Sequence, residues 1–177
     1  GTPQRLAAGN CPCWTDHPSR LYYVSPADEM IYVVDVNRPT ESRTPVAPCR
    51  GQSIHMQVSP DGQYLAFASA GRLTIIELHS HKVRMTWVVP GPQDNFVRWS
   101  PDGKKVSLGV GGIQRLPSGL WVFDMERKQG KHILNPMALS CNWSPDGSRV
   151  ALDLSYPVNE IWLAEVDPDL PTWEVFG

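Results

Sequence analysis

The chain has 177 residues, 41% of them hydrophobic, with 16 basic against 18 acidic side chains and a net charge of −2. This composition suits one globular domain and gives no electrostatic case for nucleic acid or for an anionic membrane surface. The 17 prolines and 14 glycines are spread along the whole chain, which excludes a helical bundle, and no apolar run reaches the ~18 residues that would predict a membrane-spanning helix.

The chain opens on Gly1-Thr2 without a methionine, as a processed product or an excised fragment would. Residues 3–8 then read as an extra outer strand. Four repeating units follow, over approximately 9–47, 53–89, 95–134 and 138–176, and together they form one domain over 1–177. Their shared phrase is Val58-Ser59-Pro60-Asp61-Gly62, Trp99-Ser100-Pro101-Asp102-Gly103 and Trp143-Ser144-Pro145-Asp146-Gly147. Its serines are 41 and 44 residues apart (59 to 100, 100 to 144). A step of 44 back from Ser59 lands in Trp14-Thr15-Asp16-His17-Pro18, a degenerate first copy whose turn departs from the others.

Proline presets the second position of a type I turn, serine caps it, and glycine suits its exit. Apolar runs on either side make each copy a β-hairpin. A third strand follows in every unit, around Ile31, Leu73, Leu120 and Ile161, and four residues after each stands an acid: Asp35, Glu77, Asp124 and Glu165. Weaker fourth strands are expected over 43–47, 83–89, 131–134 and 172–176. Four strands in a period of this length predict an all-β fold, a β-propeller of about four four-stranded antiparallel blades. One strand candidate too many for a closed four-blade ring favours an open arc. Such an arc is either part of a larger propeller or a homo-oligomer joined through its terminal blades.

The Trp-Ser-Pro-Asp-Gly phrase, an apolar strand, and then Ile-Tyr or Ile-Trp with an acid resemble the TolB-type, WD-like β-propeller repeat, over essentially the whole chain. The Gly-His and Trp-Asp pairs of true WD repeats are missing. The resemblance implies protein–protein contact near the ring axis and a periplasmic or secreted location.

Trp14, Trp99 and Trp143, with Val58 in the remaining copy, read as packing between blades rather than as an aromatic cage. The repeated acids read as turn caps. Cys11 and Cys13 are too close for a zinc knuckle, and with Cys49 and Cys141 they are too sparse for a disulfide scaffold, so mostly free buried thiols are expected. His79 and His81 would make at most a weak metal site. No Gly-x-Ser-x-Gly elbow or phosphate loop occurs, so neither a catalytic residue nor a cofactor is assigned.

Binding is expected in the loops entering each first strand and in the long loop 111–119. The candidates are Asn10, Gln52, His55, Asn95, Arg98, Arg115, Met137 and Asn142. Strand alternation puts Cys13, Gln57, Arg98 and Asn142 on one face, as a polar axis requires. The expected function is a non-enzymatic scaffold for a protein or peptide partner, without nucleic acid or membrane insertion. The alternatives are the substrate-gating propeller of a prolyl-oligopeptidase-type peptidase and a catalytic or metal-binding propeller.

Overall fold

The computed structural model describes residues 5–50, 55–89, 93–111, 119–134, 138–154 and 160–166, with backbone alone at 93–95, 111, 138–139 and 154. Among these residues there are only strands and turns, in four antiparallel sheets. The first holds β1 (Asn10–Trp14), β2 (Arg20–Ser25), β3 (Met30–Asp35) and β4 (Thr44–Pro48). The second holds β5 (His55–Val58), β6 (Tyr64–Ser69), β7 (Arg72–Glu77) and β8 (Lys82–Val88). The third holds β9 (Gln93–Trp99), β10 (Lys105–Gly111), β11 (Gly119–Asp124) and β12 (Gln129–Leu134). The fourth shows β13 (Ala138–Trp143), β14 (Arg149–Leu154) and β15 (Glu160–Glu165). Within each sheet the strands pair in chain order, which is the meander of a propeller blade.

The repeated turn works as a small latch. The Ser59, Ser100 and Ser144 hydroxyls donate to Asp61, Asp102 and Asp146 Oδ1 at 2.5–2.6 Å. Each serine oxygen also accepts the amide five residues on, at Tyr64, Lys105 and Arg149. Gly62, Gly103 and Gly147 stand at φ of 70–71°, a left-handed backbone that glycine adopts at no steric cost. The first copy has no such glycine. There the Thr15 amide still bonds the Arg20 carbonyl, but the inner bond runs from the Arg20 amide to His17 O. The hairpin keeps its length and changes its turn.

The innermost strands pack in succession, β1 on β5, β5 on β9 and β9 on β13. Each sheet therefore has a leading face toward its predecessor and a trailing face toward its successor. Between the second and third sheets, Ala66, Ala68 and Ile75 meet Val97, Val106, Leu108 and Phe123. The first seam joins Tyr22, Val24 and Ile31 to Leu65, Phe67 and Ile76. The third joins Leu120 and Val122 to Val150 and Leu152. Among the described residues no sheet packs on the leading side of β1–β4 or the trailing side of β13–β15, so the sheets form an open arc rather than a closed ring. At the far end Ile161 and Leu163 are 78% and 61% exposed.

The tryptophans pin the seams. The Trp99 amide donates to Gln57 Oε1 at 2.7 Å, and its indole donates to Gln57 O at 3.0 Å. The Trp143 indole donates to Ser107 Oγ at 3.0 Å. Trp14 has no preceding sheet and is 57% exposed. The extra outer strand expected over 3–8 does not form in its described part. Residues 5–9 carry no strand bonding and lie beside the first leading face, where Gly9 stands against Tyr23. A chain lying flat on an apolar face satisfies contact rather than ladder bonding. With Leu21 and Val34 it encloses a cavity of about 310 Å³. The fourth strand expected over 172–176 lies outside the described residues.

Trp121 provides a contrast with Trp99. Both rings are buried, but the Trp121 indole nitrogen has no hydrogen-bond partner. Trp99→Phe should therefore destabilise the fold by about 1–2 kcal/mol more than Trp121→Phe, because only the former leaves a carbonyl without its donor. Denaturant unfolding of the two variants measures the difference, and equal losses would contradict the seam role of Trp99.

Candidate functional site

The register places Cys13 opposite Tyr22, Gln57 opposite Ala66, Arg98 opposite Ser107 and Asn142 opposite Ala151. These four side chains thus occupy the trailing face of the four innermost strands. Arg98 stands on β9, which packs on both β5 and β13. Its charge acts on Cys13 in the first sheet, His55 in the second and Cys141 in the fourth. The Arg98 Nη1 group donates to Val97 O at 2.8 Å, and among the described residues no carboxylate pairs with it.

The neighbours are held neutral. Burial pushes the Cys141 thiol up to about 11, against the opposing pull of the Ser107 hydroxyl and of Arg98. Burial also raises Cys13, opposed by the Val58 backbone and by Arg98. His55 is lowered first by burial and then by Arg98, which favours the uncharged ring at neutral pH. Ser107, fully buried, lies 3.2 Å from Cys141 Sγ and donates to Arg98 O at 3.2 Å. The four cysteines form no disulfide with one another; Cys49 and Cys141 are buried and Cys11 and Cys13 half-buried.

Of the expected binding residues, His55 lies within reach of the Arg98 charge, and Asn142 is exposed at the matching position of β13, the next innermost strand. Asn10 lies away from it, lining the cavity at the first leading face. Asn95 is described by its backbone alone, in β9. Gln52, Arg115 and Met137 fall outside the described residues, as does the loop 112–118. Sequence reasoning passed over Ser107 and read Cys141 as a buried thiol without a place in the site. The available signal for Ser107 was a hydroxyl set between Val106 and Leu108.

The remaining candidates resolve into local structure. Asp35 accepts the Asn37 amide and Asp124 the Glu126 and Arg127 amides. Glu77 accepts the Ser80 hydroxyl, and Glu165 lies 3.8 Å from Arg149. His79 is exposed, 3.5 Å from Glu77, and no three potential metal ligands gather among the described residues. Two further cavities, of about 330 and 290 Å³, lie at the outer part of the first seam. No helix among the described residues is long and apolar enough to cross a membrane.

Residues 28–163 match the family model described as eukaryotic translation initiation factor eIF2A. The chain belongs to this family. No curated protein matches the eIF2A-family chain closely. Among solved structures it resembles hydrazine synthase of Kuenenia stuttgartiensis, at 19% identity and a TM-score of 0.73, over 93% of this chain and 47% of that one. It also resembles TolB from Acinetobacter baumannii, at 20% identity and 0.66, over 87% and 39%. A chain of a mitotic checkpoint complex matches at 16% identity and 0.70, over 90% and 50%. The eIF2A-family chain thus spans half or less of the length of each of these structures. At such identities the likeness concerns the fold, which is that of a propeller.

Two measurements follow from the electrostatics. The Ser144 hydroxyl, the Ser148 amide and the Ser148 hydroxyl hold Asp146 down at about 2. Burial alone would raise Asp102, but the Ser100 hydroxyl, the Lys104 amide and two lysines keep it below its ordinary value. A depressed carboxylate stabilises the fold above its unfolded pKa, and that contribution is lost as pH falls through the folded value. Ser144→Ala should move Asp146 up toward 3.8 in a carboxyl-carbon NMR titration. Removing the positive charge in Arg98→Gln should slow alkylation of Cys13, because less thiolate then forms; peptide mapping after iodoacetamide treatment reads the rate.

Proposed function

We propose that this chain is a non-enzymatic binding scaffold that receives a protein or peptide partner at its hub. The observation that carries this reading is the convergence on Arg98 of groups from all four sheets. Among the described residues no nucleophile, base and orienting group line up there in the way that catalysis requires. The family description directs the search for the partner to translation initiation. A periplasmic or secreted setting has only the TolB likeness behind it.

A photo-crosslinking side chain at Asn142 tests the scaffold. It should capture a partner that the same group at Asp61, in the exposed turn, does not. Equal capture at both positions would refute a hub site. Turnover on a broad hydrolase panel that one hub substitution abolishes would refute the non-enzymatic reading.

A second contact, between copies of the chain, is favoured by Trp14. Its counterparts pin a preceding sheet, and the trailing face that could serve as such a sheet is exposed at Ile161 and Leu163. Head-to-tail pairing would bury both ends. Light scattering over a range of concentrations should show a dimer that Trp14→Ser shifts toward monomer. A monomer at every concentration would overturn it.

A further inference from the structure

We propose that Arg98 anchors a carboxylate at the hub, so that the partner engages it with an acidic peptide segment. This rests on the hub-binding reading above and names its ligand chemistry. A guanidinium carries five N–H donors, and the contact found for Arg98 here uses one group, Nη1, on Val97 O. Arg98 is half-buried, where an unpaired charge is costly unless something compensates it. Among the described residues no acid does so. Cys13 and Cys141 are held as neutral thiols and His55 as a neutral ring. The hub is therefore locally positive in a chain whose net charge is −2.

The surroundings add donors rather than acceptors. Gln57 Oε1 is committed to the Trp99 amide, so what this side chain still offers is its Nε2 group, a donor. Asn142, exposed at the matching position of β13, is a further amide on the next innermost strand. One fixed cation flanked by neutral amide donors matches a single negative charge, and the planar guanidinium fork fits a carboxylate in bidentate geometry. A phosphate or a nucleic-acid backbone calls for more positive charge than one arginine provides.

Calorimetry on the full chain with short blocked peptides tests this. The probes are Ac-Gly-Glu-Gly-amide, its glutamine counterpart, and Ac-Gly-Gly-Gly with a free carboxyl terminus. The glutamate peptide should bind on the order of tenfold more tightly than the glutamine peptide, as expected of one charge-assisted contact. Arg98→Gln should abolish that preference, and Arg98→Lys should keep part of it. If the free-terminus peptide binds best, the anchor takes a chain end; if the glutamate amide does, it takes a side chain. Either supports the carboxylate. Equal binding of the glutamate and glutamine peptides, no binding of either, or displacement by inorganic phosphate or a short oligonucleotide overturns it. Should Arg98→Gln fail to fold, the glutamate–glutamine contrast on the unaltered chain decides. Equal peptide binding leaves the crosslinking result at Asn142 standing, so the two readings can fail separately.

Discussion

The structure depends on the bonds that tie the ends of two innermost strands, β9 and β13, to the sheet before them. A four-stranded antiparallel sheet of this size has two apolar faces and cannot hide either one alone. Packing sheets face to face removes those faces from water, but apolar contact by itself does not fix how far one sheet slides on the next. The hydrogen bonds from Trp99 to Gln57 and from Trp143 to Ser107 set that alignment. They also explain why Gln57 and Ser107 are polar on faces otherwise given to alanine, valine and leucine. The geometry of the hub follows, because a slide of one strand position would carry Arg98 away from His55 and Cys141.

The same seams dictate where small residues stand. Leu108 and Phe123 on the leading face of the third sheet are matched by Ala66 and Ala68 on the trailing face of the second. Within the third sheet, Phe96 on β9 lies over its pairing partner Gly109 on β10 and leaves no room there for a side chain. Large residues on one face with small ones opposite is the alternation that close packing demands. Gly109 thus belongs to core packing, although in sequence it looks like part of a glycine-rich loop.

The repeated turns and the strands around them were legible because their chemistry is local: a proline, a hydroxyl, a carboxylate and a glycine act within five residues. The role of Trp99 as a spacer between sheets could also be read, since repetition of a residue implies repetition of its environment. Its partner on Gln57 could not, because that contact joins residues 42 positions apart. The hub was half legible. Alternation put Cys13, Gln57, Arg98 and Asn142 on one face, but no pattern within one strand tells which of them face one another across four sheets. Residues 5–8 were misread as a strand because strand-forming composition carries no information about whether an edge is available to pair with.

The arc also makes stability depend on position. The second and third sheets are supported on both sides, while the first and the fourth each have one seam among the described residues. Among the described residues the main sheet–sheet contacts join neighbours, so cooperativity passes along the arc in one dimension. Opening then begins at the terminal sheets and moves inward, and amide exchange should be slowest in β6 and β10. Arg98 lies on the third sheet, within the region that opens last. A ligand held there would find its anchor in place even while the ends of the chain breathe.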